Sequence, residues 1–142
     1  HLSLRRQRQM CIRDRWYGMT ETNIGMASET ELITNGGEIA ETLETYLFRE
    51  GITEEIKLSI EKFQTWLREH LILTKNLIPH NLVLGYENDK IVIKIIDGLG
   101  SQAFIPLPNY SDFFAKRYVE RRIDLMWSRI NWDLSGRNGN WK

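Results

Sequence analysis

The sequence predicts an α+β fold in which a β-hairpin packs against long helices. Two stretches carry apolar residues at steps of three and four, as helices with one buried face do. Between them, two short apolar runs flank a polar turn, which is typical of a β-hairpin. The chain has 142 residues, the length of one ordinary domain. We therefore expect one hydrophobic core between strands and helices.

The first fifteen residues are set apart from this fold by their composition. The stretch "HLSLRRQRQMCIRDR" contains five Arg and a single acid, Asp14. A disordered basic leader is favoured over an arm that binds nucleic-acid phosphates, and "RRQRQMCIRDR" also resembles translated adapter sequence. We predict that residues 1–15 are non-native or disordered and that nucleic acid is not a partner.

The next segment predicts two strands and a helix. Weak strand patterns cover about Trp16–Glu21 and Met26–Ile33. A turn is expected at Asn35-Gly36-Gly37, because Gly tolerates positive φ. Residues 38–50 then show helical spacing, and Gly51 stands where helices commonly end.

The second helix has the clearest pattern in the chain. It is expected from Glu54 to Leu73, with Thr53 as its N-cap. Residues at steps of three and four form its apolar side. They are Ile56, Ile60, Phe63, Leu67 and Leu71.

The hairpin and the last helix complete the predicted order. After a loop from Thr74 to His80, the strands "LVLGY" and "KIVIKII" are joined by a turn at residues 87–89. The second strand is rich in β-branched residues and is expected to be largely buried. A long helix starts at Asn109 or Ser111. The polar end, residues 135–142, is predicted to fray. The apolar residues expected on the last helix are Phe113, Phe114, Val119, Ile123, Met126, Trp127 and Ile130.

Charge and cysteine content exclude several classes of protein. Lys and Arg equal Asp and Glu at 19 each, so no bulk field attracts nucleic acid or a membrane. The single Cys permits no internal disulfide, which fits a reducing compartment. Apolar runs fall short of the roughly 18 residues of a membrane helix. We expect a cytoplasmic protein without a membrane partner.

The two ends of the hairpin carry the candidate site. Asn81 stands at its entrance and Asp97 at its exit. Because the ends of an antiparallel hairpin lie side by side, an amide oxygen and a carboxylate can meet there. Mg²⁺ is usually held by one or two carboxylates together with phosphates and water. Gly98 allows a sharp exit that leaves the carboxylate accessible.

The segments "TKNLIPHNLVL" and "KIVIKIIDG" resemble the catalytic loop and metal-binding segment of the protein-kinase-like superfamily. By this resemblance Asn81 and Asp97 are the metal-binding residues, Gly98 adjoins a nucleotide, and Mg²⁺ and ATP are the implied cofactors. The resemblance also implies a kinase-like C-terminal lobe with remnants of N-terminal-lobe strands, over residues 16–134.

A closer resemblance covers about Tyr17 to Ile130. The stretches "GMTETNIGMASETEL", "ILTKNLIPHNLVL" and "IIDGLGSQAFIPLPNYSDFFAKRYVERRI" resemble the YrbL family, which is named for the PhoP regulatory network in bacteria. It implies a kinase-like fold without an established molecular activity, and a regulatory protein as the partner class.

The departures from the kinase pattern decide between two functions. Asn76 stands where an active loop carries its Asp base, and Ile78 replaces the Lys that often follows. Loss of a general base costs about 10²–10⁴-fold in rate. The sequence as given contains no Gly-rich strand-turn and no early-strand Lys, as expected of a truncated lobe. A non-catalytic binding or regulatory module is favoured, and an atypical ATP- and Mg²⁺-dependent phosphotransferase is the alternative.

Each candidate residue also has an ordinary structural interpretation. For Asn81 and Asp97, a retained scaffold without ligand is favoured over a working site. His80 is expected to be a solvated loop residue. Two interpretations are open for four aromatic residues, an aromatic docking stripe and a place in the core, and the core is favoured. They are Tyr110, Phe113, Phe114 and Trp127. Three basic residues have two interpretations, binding of phosphate or an acidic partner and a solvated helix face, and the solvated face is favoured. They are Arg117, Arg121 and Arg122.

Overall fold

The structure is a computed structural model, and it describes residues 16–97 and 107–140. It contains helices and small antiparallel sheets, which confirms the predicted α+β class. The assignment to a kinase-like lobe stays a prediction, and Gly98 and the loop after it lie outside the described residues. In chain order the elements are β1 (Trp16–Thr22), β2 (Gly25–Thr30), β3 (Thr34–Asn35), β4 (Glu38–Ile39), α1 (Leu43–Glu50), α2 (Glu54–His70), a 3₁₀ turn (Pro79–Asn81), β5 (Leu82–Glu87), β6 (Lys90–Ile95), α3 (Leu107–Tyr110) and α4 (Asp112–Leu134).

Strands β1 and β2 form an antiparallel hairpin that packs mainly on itself. Both predicted strands are confirmed, although the second ends at Thr30 rather than at Ile33. Glu21 pairs with Met26 across the hairpin, and Met19 precedes Glu21 by two residues. Because side chains alternate along a strand, these three share one face of the hairpin.

The first helix begins later than predicted. Residues 38–39 form strand β4, and α1 starts after Thr42, whose side chain accepts the N–H of Thr45 at 3.1 Å. The main chain before the helix is hydrogen-bonded to strand β5, because Leu84 donates its N–H to the carbonyl of Glu41 at 2.9 Å. That tertiary pairing keeps residues 38–42 out of helical conformation. Gly51 ends the helix with φ 71°, as predicted.

Helix α2 confirms its predicted start but ends early. Thr53 caps it by accepting the N–H of Ile56 at 3.3 Å. Leu71 then adopts a left-handed conformation with φ 49° and ψ 49°. Ile72 donates its N–H to the carbonyl of Leu67 at 3.1 Å, which closes the helix before the predicted end at Leu73.

The β5–β6 hairpin presents one face to the core. Leu84 pairs with Ile93, and both side chains are fully or almost fully buried. Lys94 belongs to the opposite face and is only partly covered, so β6 is buried on one side rather than throughout. Ser59 of α2 donates its hydroxyl to the carbonyl of Ile91 at 2.9 Å. The core residues of this layer are Ile56, Ile60, Phe63, Leu67, Leu82, Leu84, Ile91, Ile93 and Ile95.

Helix α4 covers the other side of the core, and its apolar face is narrower than predicted. Phe113 and Phe114 are exposed, which corrects their assignment to the core. Phe113 lies two residues before the buried Ala115, so it points to the opposite side of the helix. Tyr110 is 83% exposed, and Trp127 is partly buried against the core. The buried apolar residues of α4 are Ala115, Val119, Ile123, Met126 and Ile130.

An ion-pair network joins the end of α4 to α1. The buried Asp133 accepts hydrogen bonds from Arg129 and Arg137, each at 3.0 Å. Arg137 also donates to Glu44 of α1 at 2.9 Å. Because Asp133 is only 3% exposed, its charge depends on these two guanidinium groups. The expectation that residues 135–142 fray stays a prediction, while Arg137 within them makes these contacts.

Replacing Asp133 by Ala is expected to lower the free energy of unfolding by about 2–3 kcal/mol, because two arginines lose their shared carboxylate. Urea unfolding followed by circular dichroism measures it. Asp124→Ala, at an exposed position of the same helix, is the control and should change stability by less than about 0.5 kcal/mol. Equal losses of stability in the two variants would contradict the role of Asp133 as the shared partner of the two arginines.

The β5–β6 turn gives a stabilising prediction. Asn88 and Asp89 both have positive φ, at 51° and 59°, as a two-residue type I′ turn requires. Gly at the second position relieves the left-handed strain. Asp89→Gly is expected to raise the free energy of unfolding by about 0.5 kcal/mol, measured by urea unfolding. A Glu87→Gly variant, which changes a paired strand residue, should lower it.

Candidate functional site

A 3₁₀ turn positions Asn81 at the entrance of the β5–β6 hairpin. Pro79 forces Ile78 into an extended conformation with φ −130° and ψ 153°. The chain then turns sharply, and Asn81 donates its N–H to the carbonyl of Ile78 at 2.9 Å. Asn81 is 7% exposed at the head of β5. Its amide therefore sits at the edge of the core rather than in solvent.

The side chain of Asn81 is held by the loop that precedes it. Its Nδ2 donates to the backbone carbonyl of Asn76 at 3.1 Å. Because Nδ2 and Oδ1 of the amide point in different directions, this bond directs Oδ1 away from the Asn76 carbonyl. Asn76 contributes a main-chain atom to this contact, and its own side chain is exposed. The structure thus brings Asn76 and Asn81 together.

The register of the hairpin places its exit beside its entrance. Leu82 pairs with Ile95, and Ile96 donates its N–H to the carbonyl of Asn81 at 3.1 Å. Asp97 is the next residue and is exposed. The main chains at Asn81 and Asp97 are therefore neighbours. Their joint action as metal ligands stays a prediction, and Gly98 lies outside the described residues.

Helix α4 contacts this loop through a tyrosine that the sequence analysis did not single out. The hydroxyl of Tyr118 donates to the carbonyl of Thr74 at 2.9 Å. Arg122 donates to the Tyr118 hydroxyl at 3.0 Å, with its guanidinium 4.9 Å from the ring centre. Arg122 is thus half-buried rather than solvated. Its spacing of four from Tyr118 was the available signal, since such residues are helix neighbours. His80 is exposed, as predicted.

Asn35 is a second contact residue that the sequence pattern did not indicate. Its Nδ2 donates to the carbonyl of Leu84 at 2.8 Å, and Thr42 bridges Val83 on the same strand. These contacts cover the outer edge of β5. The turn before α1 therefore lies against the hairpin that carries Asn81.

Other possible sites are limited in the part of the chain that the structure describes. Residues 16–97 and 107–140 contain no group of three or more His, Cys, Asp or Glu side chains placed to hold a metal. None of their helices has the length and apolar character needed to cross a membrane. A shallow groove of about 430 Å³ runs along α2, and none of the predicted site residues lines it. Its lining residues are Leu58, Glu61, Lys62, Thr65, Trp66 and Glu69.

Comparison with known proteins identifies a family. A family model described as PhoP regulatory network protein YrbL matches residues 1–131 of the chain. No curated protein matches the chain. The match covers the loop at Asn76, the 3₁₀ turn, the hairpin and most of α4.

The hydrogen bond between Asn81 and Asn76 predicts that two similar substitutions lower stability by different amounts. Asn81→Ala is expected to lower the free energy of unfolding by about 1–2 kcal/mol, because a buried amide and its bond are lost. Asn76→Ala should change it by less than about 0.5 kcal/mol, because Asn76 contributes only its backbone carbonyl. Urea unfolding of both variants is the measurement. A larger loss in Asn76→Ala would show that the contact is wrongly assigned.

Proposed function

We propose that this chain, which belongs to the PhoP regulatory network protein YrbL family, is a non-catalytic binding module that holds a nucleotide with Mg²⁺. In this proposal the β5–β6 hairpin carries the ligand, and the loop at Asn76 supports it without acting as a base. A regulatory protein then recognises the liganded state.

The proposal rests on the hydrogen bond from Asn81 Nδ2 to the carbonyl of Asn76. That bond fixes the Asn81 Nδ2 on the loop and directs Oδ1 away from the Asn76 carbonyl. It needs only the main chain of residue 76, so it is kept although the side chain there is not a carboxylate. Ligand orientation and proton abstraction are therefore separable in this loop.

The residues at the hairpin ends fit the chemistry of Mg²⁺. This ion prefers oxygen ligands, and one or two protein groups suffice when phosphates and water complete its octahedron. Asn81 offers an amide oxygen, and Asp97 offers a carboxylate one residue beyond a direct main-chain bond to Asn81. When bound, Mg²⁺ supplies positive charge that offsets the charge of the phosphates. Asp97 is exposed at the exit of the hairpin.

The side chain at position 76 argues against phosphate transfer. A carboxamide does not take up a proton near neutral pH, whereas transfer to a hydroxyl is assisted by a carboxylate that accepts or orients that proton. The loss corresponds to about 10²–10⁴-fold in rate. The alternative, an atypical phosphotransferase, depends on positioning and electrostatics without this residue. Turnover therefore separates the two functions.

Nucleotide binding is tested by thermal unfolding with MgATP. At 100 times the dissociation constant the ligand should stabilise the chain by about 2.7 kcal/mol. Asp97→Asn removes the negative ligand while keeping its shape, so it should abolish most of the Mg²⁺-dependent part of the shift. Asp124→Asn on α4 is the matched control and should keep the full shift. No shift in the unmodified chain, or an unchanged shift in Asp97→Asn, would contradict the proposed site.

Phosphate transfer is tested by ATP hydrolysis and autophosphorylation assays. The unmodified chain is expected to show the same rate as Asp97→Asn, which serves as the blank for contaminating enzymes. Asn76→Asp is expected to remain at that rate, because the sequence as given contains no Gly-rich phosphate loop. Turnover above the blank that rises in Asn76→Asp would favour the phosphotransferase instead.

A further inference from the structure

The β1–β2 hairpin exposes apolar side chains among acids. Met19 and Met26 are 56% and 64% exposed on the face that also carries Glu21. Tyr17 is 57% exposed at the irregular register between Trp16 and Gly18. Residues 16–41 contain five Glu and no Lys, Arg or His. Glu29 pairs with Gly18 and lies on the other face, so we define the acidic hairpin surface as Tyr17, Met19, Glu21 and Met26.

Helix α4 exposes apolar side chains among bases. Phe113 and Phe114 are 68% and 40% exposed and pack edge to face at 5.4 Å between ring centres. Arg117 and Arg121 continue the same side of the helix at steps of four, and both are exposed. We define these four residues as the basic helix stripe. It lies opposite the buried face of α4.

The two cations of the basic helix stripe are available for a partner. Within the described segments, Arg117 and Arg121 make no ion pair. The neighbouring acid, Glu120, is bound by Arg68 at 2.8 Å, and this hydrogen bond raises the pKa of Arg68. The Glu120 carboxylate is thus already paired with a side chain of α2. The stripe keeps a net positive charge beside two exposed rings.

Both surfaces have properties that are typical of protein interaction surfaces. A two-stranded hairpin with little other packing is marginally stable in water. Exposed apolar side chains that form one patch, rather than scattered single residues, mark interaction surfaces. The acidic hairpin surface and the basic helix stripe carry opposite charges around similar apolar centres. The two surfaces are therefore complementary in charge, and both have apolar centres.

We propose that the acidic hairpin surface of one chain docks on the basic helix stripe of a second copy, and that the contact is made twice around a two-fold axis. Complementary charges would steer this association and exclude other orientations. Nucleic acid fits the stripe less well, because the chain has no net charge and the stripe has two cations.

The size of the contact favours the reciprocal arrangement. An aromatic side chain buries about 150–250 Å² at most, so two phenylalanines and a tyrosine make one contact small. Stable interfaces bury about 1,200–2,000 Å² in total. A two-fold axis doubles the area and closes the assembly, whereas a single head-to-tail contact leaves both surfaces open at the ends.

The test combines charge reversal with recombination. The helix variant carries Arg117→Glu and Arg121→Glu, and the hairpin variant carries Glu21→Arg. In sedimentation equilibrium of the full chain up to about 0.1 mM, the unmodified protein should dimerise, with weaker binding at high salt. Each variant alone should dissociate at least about tenfold more readily. An equimolar mixture should form a heterodimer, because one contact then joins two unmodified surfaces and the other joins two surfaces with reversed charges, so both are complementary.

Controls and contrary outcomes are defined by the same measurement. Lys57→Glu with Lys62→Glu reverses two exposed charges on α2 and should leave dimerisation unchanged. Circular dichroism melts verify that each variant is folded. A monomeric unmodified protein, assemblies larger than a dimer, an equal effect of the α2 variant, or failure of the mixture to associate would each overturn the proposal.

Hydrogen exchange gives a second readout that needs no substitution. Amides of β1 and β2 should become more protected as concentration rises, because docking covers the hairpin. Protection that is independent of concentration would mean that another part of the same chain covers it, and this result would overturn the proposal. Absence of protection at every concentration would do the same.

Discussion

The register of the β5–β6 hairpin is the constraint on which the site depends. Leu82, Leu84, Ile93 and Ile95 face the core together only when Leu84 pairs with Ile93. A slip of one residue turns the apolar set of one strand towards solvent. The same register brings the main chain of Asn81 within hydrogen-bond distance of Ile96 and so sets the position of Asp97. Burial of apolar side chains against α2 thereby brings the main chains at Asn81 and Asp97 together, although neither side chain belongs to the apolar core.

The main chain and the side chain of residue 76 have separate roles in the loop before the hairpin. The main chain at Asn76 orients the amide of Asn81, and this role does not depend on the side chain. Proton transfer depends on the side chain alone. In the proposed function, the carboxamide at position 76 supplies no base, while the main chain there keeps the Asn81 amide oriented. Tyr118 and Arg122 support the loop from α4, because the tyrosine hydroxyl binds the carbonyl of Thr74. Scaffold and chemistry can consequently diverge within a few residues.

Stability is unevenly distributed over the molecule. The helices and the β5–β6 hairpin share one core, and the Asp133 network fixes the end of α4 to α1. The β1–β2 hairpin shares little of that core. Segments with few buried apolar contacts open at low free-energy cost, so an external partner gains most by covering this hairpin. In the proposed dimer, the hairpin of one chain is covered by the oppositely charged helix α4 of a second copy.

The sequence by itself determined the α+β class, the caps at Thr53 and Gly51, the extended Ile78 before Pro79 and the approximate limits of the β5–β6 hairpin. Each of these depends on neighbouring residues or on a short apolar period, which are local properties. Only the tertiary structure decided that Glu38 and Ile39 form a strand, that Phe113 and Phe114 are exposed, and that Asn81 binds the carbonyl of Asn76. These features depend on which segment lies opposite: the carbonyl of Glu41 is taken by Leu84, α4 turns only one stripe inward, and the turn at Pro79 brings Asn81 back onto its own loop. Such pairings join residues through space, and a period along the chain does not encode them.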